Sequence, residues 1–163
     1  MRVIKDKIKK PVELKTIIQK LQEQGRRVAF TNGCFDILHF GHISYLENAK
    51  SITDILVVAL NSDSSIKRIK GKSRPILKLK NRMSIIAALE SVDFVTYFNQ
   101  NTPNEIIKLL KPDILVKGGD WNKNSVVGKY VVESYGGRVI ILPYIKGEST
   151  TKIIKMAANK HHR

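Results

Sequence analysis

The sequence predicts an α/β fold built on a doubly wound, five-stranded parallel sheet. Three observations carry that expectation. Strand and helix signals alternate along most of the chain. Each strand candidate is short, apolar and rich in β-branched or aromatic residues, as a strand buried on both faces must be. The glycine, histidine and hydroxyl motifs all fall in loops that follow strands, where such sheets bind ligands.

The elements follow in order. Residues 1–10 are basic and poorly patterned and are expected to form a flexible arm. Pro11 opens a helix in which Leu14, Ile17, Ile18 and Leu21 share one face, and Gly25 ends it. Strands are expected at 28–31, 55–60, 94–97, 114–117 and 139–142. Helices are expected at about 41–51, 81–90, 103–110, 126–135 and 150–159. Thr102 can cap the helix that Pro103 begins, and Asn81 can do the same before Arg82. No internal repeat or low-complexity linker interrupts the pattern, so residues 11–160 are expected to form one domain.

Composition narrows the function. A chain of 163 residues with 42% hydrophobic content can bury a real core. No apolar run approaches the ~20 residues that span a bilayer, so no membrane role is expected. The N-terminal residues lack the apolar core of a secretion signal, and the single Cys34 cannot form an internal disulfide. Both point to the cytoplasm. The net charge is +15, and it is concentrated. Between Ser64 and Leu89 there is no acidic residue, but there are eight basic ones: Lys67, Arg68, Lys70, Lys72, Arg74, Lys78, Lys80 and Arg82. Such a segment attracts phosphates. It lacks interleaved aromatics and any recognised nucleic-acid motif, so small phosphorylated ligands are the expected partners rather than nucleic acid.

His39-Phe40-Gly41-His42 is the most informative stretch. It follows the first strand by one short loop, Asn32-Gly33-Cys34-Phe35-Asp36. Histidines three residues apart share one face of a helix's first turn. Gly41 lets a backbone or phosphate approach, and a helix N-terminus presents free N–H groups and the positive end of its dipole. Together these read as a polyphosphate cradle. The alternative is a helix start with one histidine capping and the other packing. Cys34, His39 and His42 could also supply three zinc ligands, but no cysteine pair exists to complete a site, and no metal ligand is assigned. Two further loops complete the pattern. Lys117-Gly118-Gly119-Asp120-Trp121 follows the fourth strand, and Gly147-Glu148-Ser149-Thr150-Thr151 precedes the last helix. Convergence of these loops at one end of the sheet argues for one phosphate-handling site.

Thr-Asn-Gly-Cys-Phe-Asp-Ile-Leu-His-Phe-Gly-His at 31–42 resembles the first motif of the cytidylyltransferase-like nucleotidyltransferases, and Gly147 to Thr151 resembles their second. The likeness covers about residues 11–158 and implies a Rossmann-like fold of the HxGH nucleotidyltransferase type. Asn61-Ser62-Asp63, the run from Arg68 to Pro75, and Val116 to Asp120 are most similar to the heptose 1-phosphate adenylyltransferases. In some relatives this domain is fused to a sugar kinase, for which these residues leave no room, so a stand-alone form is expected. Asn81 and Trp121 depart from the heptose pattern. Asp120-Trp121 also occurs in glycerol-3-phosphate cytidylyltransferases, so a CTP-dependent enzyme acting on a small polyol phosphate is the alternative.

The resemblance implies transfer of AMP from ATP to heptose 1-phosphate, with Mg²⁺ carried mainly by the triphosphate. It implies catalytic roles for His39, His42 and Lys70. It assigns Phe35, Gly41, Arg82, Gly118, Asp120, Ser149 and Thr150 to the nucleotide. Asp36, Lys72 and Arg74 go to the acceptor substrate. Asp36 has two further readings, as a holder of Mg²⁺ or as a loop cap. Gly118 and Gly119 also read as a simple turn, Thr150 as a helix cap, and Trp121 as packing beside the site. The apolar N-terminal helix outside the sheet pattern is available for a homodimer.

Overall fold

The computed structural model describes residues 3–119, 125–143 and 150–160. Five strands, β1 (Val28–Gly33), β2 (Ile55–Asn61), β3 (Phe94–Phe98), β4 (Ile114–Gly118) and β5 (Arg138–Leu142), form one parallel sheet in the order β3-β2-β1-β4-β5. Eight helices accompany them among the described residues: α1 (Ile4–Lys7), α2 (Pro11–Glu23), α3 (Phe40–Ser51), α4 (Asp63–Lys70), α5 (Leu79–Ala87), α6 (Asn104–Leu110), α7 (Lys129–Glu133) and α8 (Thr150–Lys160).

Successive strand residues alternate between two apolar layers. Val28 and Phe30 join Leu14, Ile18, Ile107, Leu110 and Val132 on one face of the sheet. Ala29, Leu56 and Val58 join Leu46, Ala49, Met83 and Ile86 on the other. All seven residues of β2 are buried, which explains why that strand reads as an unbroken apolar run.

The strand order reverses between β1 and β4. There the pairing is short: β1 meets β2 over six residues, but meets β4 only at Ala29↔Ile114 and Phe30↔Leu115. The carboxyl ends of β1 and β4 therefore separate, and a crevice opens at the switch point.

Several expectations change in detail. Within residues 1–10, expected to be a flexible arm, 7–9 are anchored to the domain: α1 is followed by Ile8 bridging to Val95, Lys9 N donates to Val95 O at 2.9 Å, and Lys7 Nζ donates to Leu89 O at 2.9 Å. Helix α5 starts at Leu79, ahead of the expected Asn81 cap. Asp63 Oδ1 reaches across to accept the Leu79 N–H at 2.9 Å, satisfying from another element one of the free donors of the first turn. Helix α6 begins after Pro103, with no side-chain cap from Thr102. Helix α7 is only five residues long, bounded by Gly128 at φ +96° and by Gly137, whose N–H returns to Val132 O. Helix α4 lies inside what the sequence shows as a basic segment. Ser62 caps it by accepting from Ser65 N at 3.2 Å.

Candidate active site

The loop after β1 is held in an unusual shape. Phe35 and Ile37 have φ of +44° and +68°, a left-handed conformation that costs side-chain-bearing residues about 1–3 kcal/mol each. The Asp36 carboxylate between them is buried. Its oxygens accept Ile76 N at 2.9 and 3.0 Å and Leu77 N at 2.9 Å, and they pair with Arg74 at 2.6 Å. Of the three readings of Asp36, the geometry matches the loop cap, extended to a second loop: this one carboxylate ties 74–77 to the histidine loop.

Arg82 works on the same junction from below. Its side chain is fully buried. Nε donates to Leu77 O at 2.9 Å and one terminal nitrogen to Cys34 O at 2.7 Å. The other terminal nitrogen donates to Asn61 O at 2.9 Å and to Asp63 at 2.7 Å. Four of the five guanidinium N–H groups are thus engaged by the protein. Arg82, expected to touch the nucleotide, forms a clamp joining the loops after β1 and β2 to the start of α5.

His39 is the residue before α3, with an extended backbone (φ −138°, ψ 169°), and it makes no side-chain cap bond to the helix. Its carbonyl accepts His42 N at 2.9 Å, which turns the chain tightly enough to lay the two imidazoles face to face. The ring centroids are 3.8 Å apart and the planes 30° apart. Phe35 leans on His42 at 5.2 Å from the other side. Burial, then His39, then the positive charge of Lys70 push the His42 pKa down to about 4, so the ring is neutral at physiological pH. Its Nδ1 is buried with no hydrogen-bond partner among the described residues. A neutral His42 stacked on His39 can offer an N–H group to an anion.

Lys70 is exposed at the end of α4, close enough for its charge to act on His42. Lys72 is exposed in the loop that follows Gly71, whose φ of +94° ends the helix. Arg74 is mostly buried by its pairing with Asp36, and its Nε is buried with no partner among the described residues. Arg68 is anchored instead, donating to Asn101 Oδ1 and to Asn99 O.

Across the crevice, β4 supplies Lys117 and Gly118. A Cβ at Gly118 would meet two atoms of the Tyr45 ring at 2.9 Å, so glycine is what lets that ring lie flat against the strand. The Tyr45 hydroxyl hydrogen-bonds Thr31 Oγ1 at 2.7 Å, and burial pushes its pKa up. Lys117 Nζ donates to Asn32 Oδ1, which bridges the two separated strands. The result is a cleft of about 320 Å³. Its walls are Asn32 and Gly33 from β1, Cys34 and Phe35 from the loop, Gly41, His42 and Tyr45 from α3, and Lys117 and Gly118 from β4.

The structure thus brings Phe35, Gly41, His42 and Gly118 together, with His39 stacked behind them. Thr150 opens α8, as expected of a helix start. Asp120, Trp121 and Ser149 lie outside the described residues. Sequence reasoning gave no role to Asn32, Tyr45 or Lys117. Lys117 carried a usable signal, a basic residue just before the end of an otherwise apolar parallel strand. Tyr45 carried none, because an aromatic in the second turn of a helix reads as core.

The cytidylyltransferase-like family model matches residues 30–156, which include every element of this cleft. The chain belongs to the cytidylyltransferase-like family. Among curated relatives, it is 47% identical over 157 residues to the bifunctional protein HldE of Syntrophotalea carbinolica, covering 96% of this chain and 32% of that protein. It is 51% identical over 148 residues to HldE of Geobacter metallireducens, covering 91% of this chain and 30% of that protein. The chain therefore spans about a third of the length of these relatives. Among solved structures, a lipopolysaccharide core biosynthesis protein from Thermoplasma volcanium superposes with a TM-score of 0.62 at 30% identity, covering 76% of this chain and all of that one. A pantoate-beta-alanine ligase from Francisella tularensis shares the fold, with a TM-score of 0.62 at 18% identity over 94% of this chain and 76% of that one.

Proposed function

We propose that this domain transfers AMP from ATP to D-glycero-β-D-manno-heptose 1-phosphate in the cytoplasm, giving ADP-heptose and pyrophosphate. The observation that carries the reading is His42, stacked on His39 at the start of α3 and lining a cleft at the switch point of the sheet. The similarity to HldE proteins across most of the chain supports the choice of acceptor.

In this reaction an acceptor phosphate oxygen attacks the α-phosphorus. The new P–O bond forms as the bond to the pyrophosphate oxygen breaks, and no protein nucleophile is required. Catalysis is then positioning and charge stabilisation. Neutral His42 donates an N–H to a phosphate oxygen, and the free N–H groups of α3 add to it. Lys70 closes over the phosphates from the end of α4, while Lys72 and Arg74 receive the acceptor phosphate. Gly118 and Gly41 keep the cleft open to the nucleotide, and Asp120, Ser149 and Thr150 complete its binding. Among the described residues no cluster of histidines, cysteines and carboxylates is arranged to hold a metal, and the Asp36 oxygens are already engaged. Mg²⁺ would enter on the triphosphate, where it would neutralise charge.

The test is pyrophosphate release with Mg²⁺ and ATP, with and without heptose 1-phosphate, beside CTP and glycerol 3-phosphate. Release that requires both ATP and the heptose phosphate is the expected result. Release with CTP and glycerol 3-phosphate alone would transfer the domain to the cytidylyl branch of the family.

A further inference from the structure

Lys117 has no part in the mechanism above, yet it occupies the centre of the switch point. It is the fourth residue of β4 and lines the cleft together with His42. Its amine donates to Asn32 Oδ1, an uncharged oxygen, and among the described residues no carboxylate pairs with it. Among the described residues, the titratable groups lining the cleft with it are His42 and Tyr45 on α3 and Cys34 on the loop after β1. On its other side β5 presents Ile140, Ile141 and Leu142, all apolar. None of these is a carboxylate. A desolvated ammonium held by a single amide oxygen keeps two N–H groups for another acceptor, and an anion is the partner that offsets its burial best.

We propose that Lys117 is a nucleotide-binding residue whose ammonium takes a phosphate oxygen of the bound nucleoside triphosphate as its counter-ion. The inference rests on the nucleotidyl-transfer reading and adds to it a proton linkage. Desolvation lowers the Lys117 pKa to about 8 in the free protein. An arriving phosphate favours the charged amine and raises that pKa, so binding draws in a proton wherever the free amine is partly neutral. Affinity is then highest below pH 8 and falls as pH rises above it.

The experiment is calorimetric titration of the full chain with MgATP, without acceptor, at pH 7 to 9 in two buffers of different ionisation enthalpy. The same series is run on Lys117→Met. Wild-type protein should take up about half a proton more per nucleotide than the variant at pH 8, where half the free amines are neutral. Its affinity should fall towards tenfold per pH unit above that point, and the variant should bind at least tenfold more weakly at pH 7 with a flat pH dependence. Methionine preserves the side chain's length and relieves the amine's desolvation, so the melting temperature should not fall. The wild-type pH series stands on its own should the variant fold poorly. Equal affinity and equal proton uptake in the two proteins would overturn the assignment while leaving nucleotidyl transfer intact. Proton uptake that follows heptose 1-phosphate instead of MgATP would overturn the choice of the triphosphate. Failure of the wild-type protein to bind MgATP at all would overturn both.

Discussion

Arg82→Met is the sharpest test of how the site is built. Methionine fits the volume of the stem but removes the guanidinium that joins three segments. Leu77 O, Cys34 O and Asn61 O would each lose a charge-assisted hydrogen bond, worth about 1.5–3 kcal/mol apiece where water cannot replace it. Asp63 is less costly, since its side chain is 37% exposed and can rehydrate. Relief of the buried charge offsets part of the loss, and the cost expected for breaking such a pair is about 3–5 kcal/mol. For a chain of this size that is a fall of about 6–20 °C in melting temperature. Urea unfolding should show the same loss with an unchanged slope, and turnover should fall only because the loops lose their shape. Arg82→Lys should lie between the two, keeping charge near Asp63 without spanning three carbonyls. An Arg82→Met protein with wild-type stability and weakened nucleotide binding would show that the guanidinium faces the ligand after all.

Three further outcomes follow from the cleft. His42→Ala should fold normally but lose about 10²-fold or more in turnover, measured by pyrophosphate release, and near wild-type rates would remove His42 from the reaction. The lowered pKa of His42 also makes stability depend on pH: the unfolded chain binds the proton near pH 6.5 and the native protein only near 4. Stability should therefore drop as pH falls through that window, by at most about 1.4 kcal/mol per unit for this proton, and His42→Ala should flatten the curve of urea midpoint against pH. Gly118→Ala should cost about 1–3 kcal/mol by pushing the Tyr45 ring, and the cost should vanish in a Tyr45→Ala background. Equal costs in both backgrounds would rule out the ring as the obstacle.

The sheet was legible because each strand is buried on both faces, so that runs such as 55–60 carry their assignment in composition alone. The histidine motif was legible for a different reason: its residue types and spacing are set by what a helix N-terminus can offer an anion. What escaped depended on partners distant in sequence. The start of α5 is fixed by Asp63, sixteen positions before Leu79, and nothing local at Asn81 reports it. Arg82 looked like one more cation in a basic run, although its acceptors come from residues 34, 61, 63 and 77. Asp36 was legible as a loop cap, but the second loop it ties down begins almost forty residues later. Charge in a sequence shows that an anion is wanted, whereas only the folded chain shows which cations are already committed.

The contact between Ile8 and β3 bears on how an edge of the sheet is covered. An outermost strand displays a row of unsatisfied amides and carbonyls that another chain can pair with. On β3 that row is interrupted at Val95, where Ile8 and Lys9 lie alongside and take one of its carbonyls. Pro11 then opens α2, so the segment turns away without becoming a sixth strand. A few N-terminal residues thereby guard the sheet against growing by addition of further chains, leaving the opposite end of the strands free for chemistry.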